Sequence, residues 1–247
     1  HKAFSYLFAF KLSDVTPTIV IAAMGHAFFT LAVGAGAMLM YGAYAPKNIN
    51  IVSTVLIVTV LDIAVAILAG LAIFPLVFAY NLEPTSGPGL MFITLPIAFA
   101  KMHFGNIVGA GFFLLLFFAS LTSSINLAEP VIVTLINKLQ ISRKKAALIT
   151  GAAAWFLGVF SILSFNQWKN IKLLHQTLFD LISNATTDIF LPIGGLGFAI
   201  VAGYIMKKTQ SQDELAASGH KVYSLWRFLI RYVAPIGIVI VLISAFV

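Results

Sequence analysis

Apolar residues dominate this chain in long runs that short polar stretches interrupt. A helix that crosses a bilayer needs about 20 consecutive, largely apolar residues. Six segments reach that length, at residues 17–44, 49–80, 105–135, 145–164, 174–206 and 225–247. Thr16 and Pro17 mark the start of the first one, because a hydroxyl N-cap followed by proline favours helix initiation. The pattern predicts an all-α integral membrane protein.

Residues 81–104 lie between the second and third segments and resemble neither a membrane-spanning helix nor an ordinary loop. They contain too many turn residues to span a membrane, yet they are too apolar for an ordinary loop. We expect a short helical hairpin there, dipping toward an outer cavity. Residues 1–16 are predicted to be an extracellular lead-in, and residues 207–247 a cytoplasmic loop followed by the final helix.

Composition supports the membrane class and excludes others. The chain has 247 residues, of which 60% are hydrophobic and 9% charged, and a soluble domain of this length cannot bury so much apolar surface. It has no cysteine, which excludes disulfides and cysteine-ligated metals. The net charge of +7 is interpreted as basic loops at a membrane surface, and no nucleic-acid partner is expected.

The basic residues also predict the orientation, because cytoplasmic loops carry an excess of lysine and arginine. Of the 15 lysine and arginine residues, five lie on one predicted side of the membrane and ten lie on the other. These ten are Lys47, Lys138, Arg143, Lys144, Lys145, Lys207, Lys208, Lys221, Arg227 and Arg231. The first, third and fifth segments are therefore predicted to end in the cytoplasm.

Gly34 and Gly36 lie in the middle of the first segment. One interpretation is close packing against another helix. The other is a break in the helix, since unwound backbone is tolerated at that depth where it lines a cavity or a binding site. The residues alone leave both interpretations open.

Asp62 lies in the body of the second segment. A carboxylate there is unfavourable by a few kcal/mol unless it meets a cation, a proton partner or water. His26 is a candidate partner, and a purely structural pairing with another polar residue is the alternative.

The third segment presents oxygen atoms on one face. Ala119, Thr122 and Ser123 are spaced so that a carbonyl and two hydroxyls lie together, which suits a small alkali cation. The hydroxyls also have a purely local alternative, bonding back to their own helix. Glu129, nearly two turns further on, is interpreted as a structural or inner-gate carboxylate.

Asp180, Asn184 and Asp188 follow an i, i+4, i+8 spacing around the fifth segment. This spacing predicts one polar stripe facing a pore. Pro192, followed by Gly194 and Gly195, predicts a kink in the same segment.

Several motifs together resemble one family. "AAMGHAFFTLAVGAGAMLMYGAY" (residues 22–44) resembles the sixth transmembrane helix of the neurotransmitter:sodium symporters, in their bacterial amino-acid branch, and "LLFFASLTSSINLAEP" (115–130) resembles their eighth. "LAGLAIFP", "GLMFITLP", "ISRKKAAL", "LPIGGLGFAIVAGY" and "LWRFLIRYVAPI" match the seventh helix, fourth outer loop, and ninth to eleventh helices in order. The resemblance implies the second inverted repeat (17–206) of a broken-helix five-plus-five transporter fold, plus an eleventh helix.

The resemblance also implies roles for individual residues, in sodium-coupled symport of an amino acid. Phe29 would be a lid over the substrate, and sodium ions would be the only cofactors. The first sodium site would use Thr30 and Asp62, and the second Ala119, Thr122 and Ser123. The substrate site would include Phe29, Ala32, Gly34, Ala35, Gly36, Ser123 and Leu127.

Departures from the family pattern refine these expectations. Ala32 and Ala35 replace larger residues, so the pocket is expected to take a large apolar or aromatic amino acid. Asp62 already supplies a negative charge, so no chloride is expected to be needed, and Asp62 with His26 is expected to take a proton on the return step. Ser183 stands where an acidic outer-gate residue is common, and Asp188 replaces a common asparagine.

The family's first five helices have no counterpart in this sequence. Because the sites of the family lie between its two halves, the chain is expected to need that N-terminal half, from the same parent chain or another. A chain that begins at His1 is expected to be a fragment, a truncation or a split transporter. Such a multi-pass protein is expected in the cytoplasmic membrane of a bacterium.

Two other function classes are weighed against transport. The chain could be a non-transporting remnant or a regulatory half that pairs with a full transporter. It could also be an intramembrane hydrolase using Ser123, His26 and Asp62, but no nucleophile motif surrounds Ser123. The chain is therefore predicted not to be an enzyme.

Overall fold

A computed structural model describes residues 2–9, 11–46, 49–215 and 219–245. Parts of the predicted layout lie outside these ranges: His1 and Phe10 of the lead-in, Lys47, residues 216–218 of the cytoplasmic loop, and residues 246–247 of the final helix. Apart from an isolated bridge between Leu173 and Gln176, all regular structure in the described residues is helical. The predicted all-α fold class is confirmed.

The helices are labelled here in chain order. They are α1 (Lys2–Phe8), α2 (Pro17–Thr30), α3 (Ala37–Tyr44), α4 (Ile51–Ala79), α5 (Gly87–Lys101), α6 (Gly105–Leu139), α7 (Arg143–Phe165), α8 (Leu178–Ile205), α9 (Lys208–Leu215) and α10 (His220–Ser244). Within the described residues five of them, α4, α6, α7, α8 and α10, are long and apolar enough to cross a membrane. The first predicted segment, residues 17–44, is divided between α2 and α3.

Residues 81–104, all of which the structure describes, correct the hairpin prediction. They hold a single helix, α5, after residues 82–86, which have no regular structure. Pro88 lies in the first turn of α5, where a missing N–H has no consequence. A proline-rich sequence thus starts one helix instead of separating two.

Three prolines inside helices follow π turns, whereas Pro75 and Pro130 lie in continuous α-helix. The turns Leu90–Thr94, Ala185–Phe190 and Leu229–Val233 each end two residues before a proline: Pro96, Pro192 and Pro235. A π turn widens the helix locally, which relieves the clash between a proline ring and the preceding carbonyl. The distortion that the sequence predicts near Pro192 takes this form.

Helix starts follow local capping more than hydropathy. Thr16 and Ser142 accept hydrogen bonds at the starts of α2 and α7. Helix α8 begins at Leu178, four residues later than predicted, because Thr177 accepts from the Asp180 backbone N–H. The final helix begins at His220, five residues earlier than predicted.

The chain divides into two compact units. The first comprises His1–Val15 and Val55–Ser123, with a core at Val77, Leu95 and Phe99. The second comprises Thr16–Thr54 and Ser124–Val247. There, α2, α8 and α10 pack together.

Candidate functional site

The break between α2 and α3 is the most distinctive backbone feature of the second unit. The α-helix stops at Thr30, a single 3-10 turn covers Val33–Ala35, and the α-helix resumes at Ala37. Ala32 has φ 47° and ψ 36°, and Gly36 has φ 80°. A left-handed alanine is unfavourable by about 1–2 kcal/mol. Strain of this kind persists where the surrounding structure fixes it, and it is typical of binding sites.

Close packing accompanies the break, so both interpretations of the two glycines hold. A Cβ on Gly34 would overlap the Leu191 carbonyl group of α8. A Cβ on Gly36 would lie 3.3 Å from Pro130 Cβ of α6. The face of Gly34 that would carry a side chain therefore packs against α8. The role of Gly34 in substrate binding stays a prediction.

His26 and Phe29 lie together on a cavity of about 460 Å³. Helix α8 adds Thr187 and Asp188 to its lining. Thr187 Oγ1 lies 3.0 Å from the Ser183 carbonyl oxygen and 2.9 Å from Asp188 Oδ1. Phe29 is 56% exposed, so its ring is available to cover a ligand. The remaining lining residues are Ile21, Ala22, Gly25, Val241, Ser244 and Ala245.

The single polar stripe predicted from Asp180, Asn184 and Asp188 is corrected. Asp180 Oδ2 accepts a 2.6 Å hydrogen bond from Thr177 at the start of α8. Asn184 Nδ2 donates to Gln176 Oε1 at 3.3 Å, whereas Asp188 lines the cavity. The π turn Ala185–Phe190 begins directly after Asn184 and contains Asp188, and it shifts the register on which the i, i+4, i+8 spacing relies.

The predicted second sodium site lies on the middle of α6. Thr122 Oγ1 lies 2.9 Å from the Ala119 carbonyl oxygen and 3.1 Å from that of Phe118. The local interpretation of this hydroxyl therefore holds. The same geometry keeps two oxygens side by side, as an ion site requires. Thr122 and Ser123 are both exposed, and Leu127 is 46% exposed.

The predicted first sodium site draws on both units. Thr30 is the last residue of α2, in the second unit, and Asp62 is a half-buried residue of α4, in the first. Each of these two residues takes part in an interaction. Their role as ion ligands, and the proton role of Asp62 and His26, stay predictions.

A polar network that the sequence does not predict surrounds Glu129. Arg143 Nη1 and Nη2 donate to Glu129 Oε1 and Oε2 at 2.9 and 2.7 Å. Tyr44 Oη donates to Oε1 at 3.0 Å. The network therefore connects the end of α3 and the start of α7 to the body of α6. It borders a second cavity of about 460 Å³, lined by Ala37, Met40, Tyr41, Tyr44, Ile125, Asn126, Glu129 and Arg143.

The only sequence signals for this network were local. Glu129 is a carboxylate inside an apolar segment, and Arg143 is one of the basic residues in the loop before the fourth segment. Nothing in the spacing indicates that Tyr44, 85 positions before Glu129, reaches the same carboxylate. That contact depends on how α3 packs.

Long apolar helices, with one membrane-length segment unwound near cavities that contain charged and polar side chains, are typical of transporters with discontinuous helices. A family model described as the sodium:neurotransmitter symporter family matches residues 1–247. The chain belongs to that family. Its resemblance to the family is confirmed, and so is the prediction that it is not an enzyme.

Individual relatives agree with this assignment. The chain is 31% identical over 242 residues to the uncharacterised sodium-dependent transporter YhdH of Bacillus subtilis, and 33% identical over 234 residues to an uncharacterised sodium-dependent transporter of Haemophilus influenzae. These matches cover 97% and 94% of the chain, and 54% and 51% of the relatives. The chain thus spans about half the length of the curated relatives it matches.

A solved structure matches the fold as well. The crystal structure of MhsT in complex with L-phenylalanine superposes with a TM-score of 0.87, at 37% sequence identity. The match covers 99% of this chain and 56% of MhsT. The chain is therefore a multi-pass membrane protein of a sodium-dependent transporter family.

Proposed function

We propose that the chain forms the second half of a sodium-coupled amino-acid symporter of the cytoplasmic membrane. The observation that carries the proposal is the break between α2 and α3, with Ala32 and Gly36 in left-handed conformations. An unwound segment exposes backbone N–H and C=O groups, which can bind the polar ends of an amino acid and a sodium ion.

The proposed substrate is a large apolar or aromatic amino acid. Ala32 and Ala35 place only methyl groups at the break, which leaves room for a bulky side chain. Phe29 closes over the substrate as a lid. The L-phenylalanine bound by MhsT supports this class of substrate.

Two sodium ions are proposed to travel with the substrate. One binds at Thr30 and Asp62, and the other at the Ala119 carbonyl with Thr122 and Ser123. A sodium ion beside Asp62 neutralises a carboxylate that is otherwise unfavourable at this depth. Because Asp62 is itself the anion, we propose that transport is independent of chloride.

The Glu129 network is proposed to close the cytoplasmic side. Tyr44 ends α3, the helix that follows the break, so a movement of the break reaches Glu129 through α3. Glu129 is 14% exposed and Arg143 is 63% exposed. The guanidinium can therefore separate into water more readily than the carboxylate, which favours reversible opening.

The other wall of the site is proposed to come from an N-terminal five-helix half. Thr122 and Ser123 are exposed on the middle of a membrane-length helix. Polar groups at that depth need a polar partner or a water-filled cavity. The assembled transporter is therefore this chain together with the first half, from the same polypeptide or a second one.

Uptake by the assembled transporter in proteoliposomes tests the proposal. An inward sodium gradient should drive uptake of radiolabelled L-phenylalanine or a similar amino acid, and potassium should not replace sodium. Replacing chloride by gluconate should change nothing. Sodium-dependent binding without uptake would favour the regulatory-half alternative, and neither binding nor uptake of any amino acid would contradict the proposal.

A further inference from the structure

Within the second unit, the break packs against a short stretch of α8. The position of a Cβ on Gly34 is 2.7 Å from the Leu191 carbonyl carbon and 2.8 Å from Leu191 Cα. The position of a Cβ on Gly194 is 3.1 Å from the Gly34 carbonyl carbon and overlaps its oxygen. Two glycines thus allow two backbones to touch directly.

The same stretch of α8 supports the residue before the lid. A Cβ on Gly195 would lie 3.3 Å from the Phe28 ring and 3.8 Å from Ile238 Cδ1 of α10. Leu191, Pro192 and Gly195 are buried. We call residues 191–195 the cradle, because they contact the chain both before and within the break.

The cradle lies next to the cavity that His26 and Phe29 line. The π turn Ala185–Phe190 directly precedes it and contains Asp188, which shares a cavity with His26 and Phe29. The cavity and the break are therefore joined by one short, continuous piece of helix.

We infer that the cradle is a positioning element for the break, and that Gly194 is its critical residue. Backbone packed on backbone has no flexible side chain to absorb a displacement. The break and α8 therefore move as one body. A rearrangement at Asp188 or Phe29 is passed to the backbone that is proposed to bind substrate and sodium; this functional consequence rests on the proposed function.

A methyl group at position 194 should displace the break, because the atoms it meets belong to the main chain of Gly34. At position 195 the methyl meets the edge of an aromatic ring, which can yield by a few tenths of an ångström. Gly197 provides the matched control: it lies on the same helix, and beyond its own helix backbone no atom of the described residues is within 4 Å of its Cβ position. Gly194→Ala, Gly195→Ala and Gly197→Ala should thus show decreasing effects in that order.

Two measurements on the assembled transporter distinguish a displacement of the break from a loss of amino-acid binding. The first is the rate at which a methanethiosulfonate reagent labels the thiol of Ala35→Cys, alone and combined with each glycine variant. The chain has no native cysteine, so this thiol is its only target in the chain. The second is sodium-dependent amino-acid binding by the glycine variants without the thiol.

We expect Gly194→Ala to label several-fold faster at position 35 and to bind its amino acid roughly tenfold more weakly, an effect of the size typical for overpacking. Gly197→Ala should match the unchanged protein in both. Equal labelling and equal binding in the two variants would overturn the inference. If the unchanged protein binds no amino acid in the presence of sodium, the proposed function is contradicted. The labelling rates at position 35 would still test whether the cradle positions the break.

Hydrogen exchange in the unchanged protein covers the case in which Gly194→Ala fails to fold. Amide groups of residues 33–36 and of residues 190–196 should gain or lose protection together when sodium is added or removed. Protection that changes in one stretch and stays constant in the other would overturn the inference.

Discussion

The carboxylate of Glu129 accepts hydrogen bonds from two residues on other helices, Tyr44 and Arg143. Such charge-assisted, bidentate contacts are stronger and more directional than neutral ones. The exposure of Arg143 reduces their contribution to stability, because solvent screens an exposed partner. The geometry therefore supports the proposed gate at the cavity that Glu129 and Arg143 line better than it supports a stabilising role.

Arg143→Ala should therefore open the cavity beside Glu129 with little loss of stability. The free energy of unfolding should change little, because solvent screens the exposed guanidinium, whereas a thiol at Met40, which lines the cavity, should label faster from the cytoplasmic side. Lys144→Ala is the control, since it removes the same charge one residue along. Equal labelling in the two variants would contradict the inner-gate role.

Ala35→Leu tests the size of the substrate pocket. The larger side chain should weaken sodium-dependent binding of L-phenylalanine by roughly tenfold or more, while affecting glycine or alanine much less. Ala153→Leu adds the same atoms to an exposed position of α7 and should leave binding unchanged. A uniform loss for large and small amino acids would argue against a role of Ala35 in substrate size selection.

Asp62→Asn tests the charge at the first proposed sodium site. Removing the negative charge should weaken sodium binding and make transport depend on chloride, because an anion must then balance the ion. Uptake measured with and without chloride, over a range of pH, gives the answer. Asp14→Asn, in an exposed turn, is the control. Chloride-independent uptake with unaltered sodium and pH dependence in Asp62→Asn would show that the charge has no such role.

At the scale of elements, the sequence predicts those features that depend on nearby residues. Gly34 and Gly36 inside one apolar segment make a break one of two interpretations, and the family resemblance favours it. The π turns and the single helix α5 were not predicted, because a proline pattern alone cannot distinguish a helix end from a widened turn. The cradle and the Tyr44 contact could not be predicted, since each joins residues distant in sequence.

Gly36→Ala tests the break as an element. Gly36 has φ 80° and Pro130 Cβ lies 3.3 Å from its Cβ position, so alanine should lower the free energy of unfolding by about 1–2 kcal/mol. Gly42 is the matched control, because it lies inside α3 and, beyond its own helix backbone, no atom of the described residues is within 4 Å of its Cβ position. Gly42→Ala should raise stability by about 0.5–1 kcal/mol, as expected for a helix interior. Denaturant titration in detergent measures both, and a stabilising Gly36→Ala would rule out the left-handed conformation.

At the scale of the whole molecule, the charged loops and the membrane-length helices make one joint prediction. The loop that carries Lys169 and Lys172 connects α7 to α8, and Lys208 begins α9 at the other end of α8. A helix of 28 residues is about 42 Å long at 1.5 Å per residue, enough to place its two ends on opposite sides of a bilayer. The excess of basic residues assigns the end with Lys208 to the cytoplasm.

Thiols at positions 172 and 208 should therefore respond oppositely to a membrane-impermeant maleimide. Lys208→Cys should be labelled in inside-out vesicles and protected in right-side-out vesicles, and Lys172→Cys should show the reverse. Each variant loses one lysine, so each serves as the charge control for the other. Labelling of both from the same side would mean that α8 does not cross the membrane, and exchanged sides would mean that the Glu129 network faces outward. In that second case Arg143 would close the path by which substrate enters, and the direction of the proposed gate would have to be reversed.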